Sequence, residues 1–241
     1  MKILMNSLLV LLLSLVACSD DNDSGTNNPL NPDQLDGLYA HWTVDVVGYC
    51  GGLCWTTHYF FPDGTVLYDI GSGPDVNWEN PLCAGDDCRT YTVSNGQIII
   101  EGEPAMAFER ISEEKIEMKD TEFEHVKSVG ELKLNALYYS YNYASDPANG
   151  TGAGVSIFLK LNSDGTYSEK GTGFGYSEDA TAIDKEEHSG TYKIKGYLIE
   201  FNSDDGGQSR MLFFLPEGRS NDVNGSPKMI HIGRRDYLQK Q

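Results

Sequence analysis

Short runs in which apolar and polar residues alternate, separated by turn sequences, fill the chain from about residue 35 onward. Tyr192 and Ile194 are separated by one polar residue, and so are Ile116 and Met118. A period of two places one face of an extended strand toward a core and the other toward solvent. Long helical patterns are missing. The pattern therefore predicts an all-β protein made of short antiparallel strands.

The turn sequences predict hairpins in a repeated order. "YFFPDGTVLYDI" and "IFLKLNSDGTYSEK" each indicate strand, Asp-Gly turn and strand, because Asp-Gly tolerates the positive φ of tight hairpins. "TYTVSNGQIIIEG" and "TYKIKGYLIEFN" indicate a second hairpin. "MAFERISEEKIEM" and the segment 210–232 indicate a third, although the acidic stretch 112–125 is also compatible with a helix.

The chain carries an internal duplication. Asp63-Gly64-Thr65 recurs as Asp164-Gly165-Thr166, and Thr90–Val93 recurs as Thr191–Ile194. Weaker matches in the same order relate 35–39 to 134–138, 71–73 to 171–173 and 115–118 to 229–232. A nearly constant offset indicates two homologous units, 35–127 and 132–241. Each unit suits a small up-and-down barrel without free edges, and the alternative is one sheet or barrel shared by both halves.

The second unit reads Gly190-Thr191-Tyr192-Lys-Ile194-Lys-Gly196, followed by Ile199. Together with the Asp-Gly-Thr hairpin, this order resembles the lipocalin-like domains of bacterial lipoproteins. The first unit departs from it, with Arg89 at the position of the first glycine and Gly96 one place late. The resemblance implies tandem lipocalin-like β-barrels that hold a small ligand. The resemblance does not identify any catalytic residue in this chain.

Residues 1–17 are typical of a secretory signal, since Lys2 precedes an apolar stretch too short to span a bilayer. The stretch ends Leu15-Val16-Ala17-Cys18, which resembles the bacterial lipobox. That resemblance implies that Cys18 becomes an acylated N-terminus and the protein's attachment to a membrane. The alternative is an ordinary signal followed by a chance cysteine.

Residues 18–34 are polar and acidic, and predict a flexible tether. Cys-Ser-Asp-Asp at 18–21 resembles the export signal of surface lipoproteins in the Bacteroidetes. We expect an outer-membrane lipoprotein, either exposed at the cell surface or facing the periplasm.

The chain has 18 basic and 36 acidic residues, a net charge of −18. Removal of residues 1–17 leaves 17 basic residues against 36 acidic ones, a net charge of −19. Such a negative net charge argues against nucleic acid as a partner and is compatible with cationic ligands. The sequence names no partner protein.

Four cysteines follow the leader: Cys50, Cys54, Cys83 and Cys88. An even number in an oxidising compartment predicts disulfides, with three possible pairings. Loop entropy favours long-range bridges. The turn sequences inside each close pair favour Cys50–Cys54 and Cys83–Cys88 instead.

Three tyrosines, Tyr139, Tyr141 and Tyr143, alternate on one predicted strand. Such an aromatic stripe suits stacking on sugar rings or lining of an apolar cavity, and Trp42 and Trp55, with Trp78, suit the same part. The alternative is that these aromatic residues only pack a barrel.

No nucleophile elbow, P-loop, dinucleotide fingerprint or zinc-protease motif is present in the sequence, so we predict no enzymatic activity, cofactor or metal. Cys50, Cys54, His41 and His58 lack the spacing of a zinc site. The leading hypothesis is non-catalytic binding of a small apolar or carbohydrate ligand. The alternative is a structural or interaction lipoprotein, of inhibitor or immunity type, with packed barrels and no small ligand. An open cavity favours the first.

Overall fold

The computed structural model describes residues 34–44, 53–68, 78, 81–83, 88–146, 151–176, 183–216 and 226–240. Their strands form two successive closed barrels of eight antiparallel strands each. The first barrel contains β1 (Gly37–Val44), β2 (Leu53–Phe60), β3 (Thr65–Leu67), β4 (Cys88–Ser94), β5 (Gln97–Ile100), β6 (Met106–Ser112), β7 (Lys115–Met118) and β8 (Thr121–Val126). Each strand pairs with the next in sequence, and β8 closes the barrel on β1.

The second barrel repeats this order. It contains β10 (Ala136–Asp146), β11 (Thr151–Leu161), β12 (Thr166–Tyr176), β13 (Ile183–Gly196), β14 (Leu198–Ser203), β15 (Gln208–Phe214), β16 (Met229–Ile232) and β17 (Arg235–Gln239). β17 closes it on β10, and the short β9 (Val129–Leu132) pairs with β13. The predicted all-β class with two tandem lipocalin-like barrels is confirmed. The acidic stretch at 112–125 forms strands, so the helical alternative for it is wrong.

Alternation places one set of apolar side chains inside each barrel. The first core is formed mainly by aromatic and β-branched residues, among them Tyr39, Phe60, Tyr91, Ile98 and Ile116. The second core is formed in the same way, and includes Tyr138, Leu159, Tyr192, Ile199, Phe201 and Phe213. Burial of these side chains stabilises each barrel by roughly 1.5–3 kcal/mol per residue.

In each barrel, an equivalent tyrosine on the fourth strand is hydrogen-bonded to the segment that precedes the first strand. In the first barrel, the Tyr91 hydroxyl accepts a hydrogen bond from the Leu35 amide and lies within bonding distance of the Leu35 carbonyl, both at 3.1 Å. In the second, the Tyr192 hydroxyl makes the corresponding contacts with Leu134 at 2.8 and 3.0 Å. The duplication seen in the sequence is therefore repeated in hydrogen bonds.

The hairpin after β4 differs from its counterpart after β13. In the first barrel Asn95 and Gly96 both take positive φ, 51° and 71°. In the second, Gly196 takes positive φ and the next residue is Tyr197. The Tyr197 ring is buried, and its hydroxyl donates to the Val126 carbonyl of the first barrel at 2.9 Å. The altered turn therefore supplies a contact between the barrels.

A third apolar cluster joins the outer faces of the two barrels. The first barrel contributes Leu38, Ala40, Leu67 and Val126, and the second contributes Tyr197, Leu198, Leu212 and Phe214, with Trp78 between them. The sequence predicts that Leu212 and Phe214 lie in the core of the second unit. This prediction is wrong, because both residues belong to the cluster between the barrels. Phe213 is the inward residue of β15, so its two neighbours point outward.

A polar network lies beside this cluster. The Trp55 indole nitrogen donates to both carboxylate oxygens of Asp236, at 2.9 and 3.1 Å. The same carboxylate bonds Nδ1 of buried His231 at 2.8 Å, and His231 Nε2 bonds the Gly233 carbonyl at 2.8 Å. The contact between the barrels is therefore made by hydrogen bonds as well as by apolar packing.

Cys83 and Cys88 form a disulfide, which confirms that predicted pair. Cys54 is also disulfide-bonded. Its predicted partner Cys50 lies outside the described residues, as does Cys18. The described part of the chain contains no helix that is long and apolar enough to cross a membrane.

Candidate ligand-binding site

The second barrel contains a cavity of about 340 Å³. Its apolar wall is formed by inward-facing residues of β11, β12, β14, β15, β16 and β17, namely Leu159, Tyr167, Phe201, Met211, Ile232 and Tyr237. Ligand pockets in proteins start at roughly 300 Å³ and are mostly apolar with a few polar groups. The cavity therefore has the size and lining of a site for a small molecule.

Polar side chains line the remaining part of the cavity. They are Glu169, His188, Ser203, Asp205, Gln208 and Ser209, together with the backbone at Gly207. Most come from the turn between β14 and β15 and from the adjoining strand ends. His188, Asp205, Gln208 and Ser209 are exposed. The cavity is therefore open to water on its polar side.

Asp205 is held as a carboxylate at this opening. The Gly207 amide donates to its Oδ1 at 3.0 Å, and this bond, followed by one from the Ser203 hydroxyl, holds the pKa of Asp205 below its ordinary value. His188 Nδ1 lies 4.0 Å from Asp205 Oδ2. The opening thus carries a negative charge beside an imidazole ring.

Glu169 places a second acid on the inward face of β12. It is half-buried and shares that face with Tyr167. Burial, and next the charge of Glu169, raise the pKa of Tyr237 to about 12. The Arg235 side chain, which bonds Tyr237, acts in the opposite direction on that pKa. The lining itself contains two acidic residues and neither Lys nor Arg, which favours a neutral or cationic ligand.

The corresponding region of the first barrel is filled by rings. His58, at the position that Leu159 takes in the second barrel, is 2% exposed. It stacks on Tyr68 with ring centroids 4.5 Å apart and lies 5.0 Å from the Phe123 ring. Burial lowers the pKa of His58 to about 3, so the ring is neutral at neutral pH. Tyr68 occupies the position of Glu169.

The sequence contains one indication of this site, which the aromatic pattern does not include. Tyr167 and Glu169 are two residues apart in a predicted strand and therefore share a face. An acid on a face that begins with a buried ring breaks the apolar alternation, which signals a polar feature inside the barrel. The other lining residues are ordinary strand and turn residues without such a signal.

Two residues of the predicted tyrosine stripe, Tyr139 and Tyr141, lie on the outside of the second barrel. Tyr138 and Ser140 point inward on β10, so Tyr139 and Tyr141 point outward, and Tyr141 is 48% exposed. Tyr143 belongs to the same strand, but its side chain lies outside the described part. Tyr139 and Tyr141 therefore do not line the cavity.

The predicted tryptophans lie outside the first barrel, where Trp42 and Trp55 are cross-strand partners. Trp42 is 44% exposed. Trp55 contacts the Phe214 and His231 rings at 5.1 and 5.7 Å, in the contact between barrels. The predicted aromatic residues are therefore not brought together into a single site.

The described Cys and His residues that were weighed against a zinc site, Cys54, His41 and His58, are dispersed. Cys54 is in a disulfide, His58 is inside the first barrel, and His41 Nδ1 bonds the Glu122 carbonyl at 2.8 Å. Within the described ranges, no three His, Cys, Asp or Glu side chains are grouped so that they could hold a metal ion.

Comparison with known proteins gives no relative: no family model, curated protein or solved structure matches the chain.

Proposed function

We propose that the protein is a lipid-anchored envelope protein whose second barrel binds a small amphipathic ligand without catalysis. The observation that carries this proposal is the cavity of about 340 Å³, with an apolar wall and an opening lined by polar groups. The first barrel, filled by His58, Tyr68 and Phe123, serves as a packed support.

The charges in the lining narrow the ligand class. Glu169 and Asp205 supply negative charge to the lining, whereas Arg235, which bonds Tyr237, is not itself part of the lining. A group that donates hydrogen bonds or carries positive charge fits this end, because opposite charges in a partly buried site attract. The apolar part of the ligand lies against Leu159, Phe201 and Met211. The preferred ligand is therefore an apolar amine rather than a fatty acid.

Displacement of an apolar fluorescent probe, N-phenyl-1-naphthylamine, tests the site. We expect octylamine to displace the probe at concentrations about tenfold lower than octanol, a difference of about 1.4 kcal/mol, and octanoate to be weakest. Glu169→Gln should remove most of the advantage of octylamine over octanol. Met211→Trp should abolish probe binding because the larger ring occupies the cavity.

Ile99→Trp is the matched control, since Ile99 is 45% exposed on the first barrel and touches no part of the cavity. It should bind the probe as the unmodified protein does. Equal binding by the Met211→Trp variant would contradict the proposed site. Stronger displacement by octanoate than by octylamine would contradict the ligand class.

Anchoring is tested separately by metabolic labelling with an alkyne fatty acid in a bacterial host that processes lipoproteins. The unmodified chain should be labelled, whereas Cys18→Ser should not, because no other residue in the leader resembles an acylation site. Cys83→Ser should keep the label. A labelled Cys18→Ser variant would contradict the lipobox interpretation.

A further inference from the structure

The outside of the second barrel has a face that the cavity does not use. Tyr139 on β10 lies between Phe158 on β11 and Leu238 on β17, so three apolar side chains form one row across neighbouring strands. Leu238 is 40% exposed and Tyr141, two residues along β10, is 48% exposed. With Lys228, Gln239 and Lys240, the row lines an open groove of about 650 Å³.

Lysines surround this row. Lys240 Nζ lies 4.9 Å from the centre of the Phe158 ring. Lys228 is exposed in the same groove, and Lys160 follows Phe158 on the outer face of β11. None of these three lysines forms a salt bridge with another described residue. We call Tyr139, Tyr141, Phe158, Leu238 and these three lysines the lysine–aromatic face.

Acids are scarce on these strands. The described outward side chains of β10, β11 and β17 include one acid, Asp236, whose carboxylate binds Trp55 and His231 in the contact between barrels. Farther round the barrel, Lys170 lies opposite Phe158 on β12 and Glu187 lies opposite Lys170 on β13. In a chain with twice as many acidic as basic residues, this face is locally positive.

We propose that the lysine–aromatic face binds an acidic polysaccharide. Tyr141 is exposed, and Tyr139 and Phe158 are half-buried. Such flat rings suit stacking against the apolar faces of sugar rings, and an amphipathic ring such as Tyr contacts them while its hydroxyl stays in water. The lysines supply charge complementary to carboxylates along the polymer. The groove is open rather than enclosed, which fits an extended chain running across the strands. This site is separate from the cavity, which lies on the inner face of the same barrel.

Affinity electrophoresis of the purified protein tests the proposal, with polygalacturonate as the acidic polymer and dextran as the neutral one. Polygalacturonate should retard the protein and dextran should not. Tyr139→Ser combined with Phe158→Ser should weaken retardation at least tenfold. Lys228→Gln combined with Lys240→Gln should weaken it about fivefold and reduce its dependence on salt.

Lys193→Gln, on the exposed face of β13, is the control for lost charge and should leave retardation unchanged. Far-UV circular dichroism verifies that each variant is folded. Met211→Trp, which fills the cavity, should still bind polygalacturonate, so failure of the cavity proposal and failure of this one are distinguishable.

Polyglutamate and vesicles of phosphatidylglycerol distinguish an acidic polysaccharide from an acidic polymer without sugars and from a membrane surface. Retardation by polyglutamate as strong as by polygalacturonate would overturn the sugar-stacking assignment. Binding to the vesicles without binding to polygalacturonate would identify a membrane contact and overturn the polysaccharide. Equal retardation by dextran would overturn the role of charge.

Discussion

Gly190→Ala is expected to destabilise the second barrel by at least about 3 kcal/mol, because the added methyl has no space. A Cβ at position 190 would lie 2.0 Å from the Asn202 carbonyl oxygen and 2.9 Å from the Ser203 Cα. These are backbone atoms of β14, and Gly190 is paired with Ser203 in the β13–β14 ladder. The clash cannot be relieved by a side-chain rotation. It is relieved only by parting two strands of a closed barrel.

Urea unfolding followed by far-UV circular dichroism measures this effect as a lower midpoint. Gly130→Ala is the matched control, because nothing lies within 4 Å of a Cβ there. That variant should remain within about 0.5 kcal/mol of the unmodified protein. If the two substitutions lower the urea midpoint equally, the close approach of β14 to Gly190 does not explain the loss of stability.

Phe214→Ala is expected to cost about 3–5 kcal/mol and to uncouple the two barrels. Phe214 is fully buried in the contact between them, with its ring stacked on His231 at 4.4 Å and edge-on to Trp55 at 5.1 Å. Its removal leaves a cavity between the outer faces while the core inside each barrel stays intact. The loss therefore falls on the coupling between barrels.

Differential scanning calorimetry should then resolve two transitions, whereas we expect the unmodified protein to unfold in one. Tryptophan emission should shift to the red because Trp55 loses a ring contact and gains water. Ile99→Ala, which truncates an exposed side chain of the first barrel, should keep the single transition. A single transition with an unchanged midpoint in Phe214→Ala would mean that the apolar cluster contributes nothing to the coupling.

The barrel architecture was predictable because it depends on local features of the sequence. Asp-Gly and Asn-Gly turns fix the hairpins, and period two identifies the strands. The predicted match between the two halves correctly aligned Asp63 with Asp164, whose carboxylates each accept the amide of the Thr two residues later, at 3.0 and 2.9 Å.

The functional surfaces were less predictable because they depend on which side of each strand faces inward. In "RMLFFL" every residue from 211 is apolar, so alternation cannot decide that Phe213 points into the barrel while Leu212 and Phe214 meet the other one. In "LYYSYNY" the four tyrosines likewise leave undecided which residues face inward. The structure places Tyr138 inside and Tyr139 outside. Contacts between distant strands settle these choices, and no local pattern records them.

The paired tyrosines have a consequence for the order in which the chain folds. Tyr192 joins residues 58 apart through its bond to Leu134, and all strand pairs of each barrel lie within its own half. By contrast, Trp55 and Asp236 are 181 residues apart. Closing a loop costs more entropy as it lengthens, and long-range contacts slow folding. Each half is therefore expected to close by itself, with docking of the two barrels as the last and slowest event. In synthesis from the N-terminus, the first barrel needs no strand from the second to close.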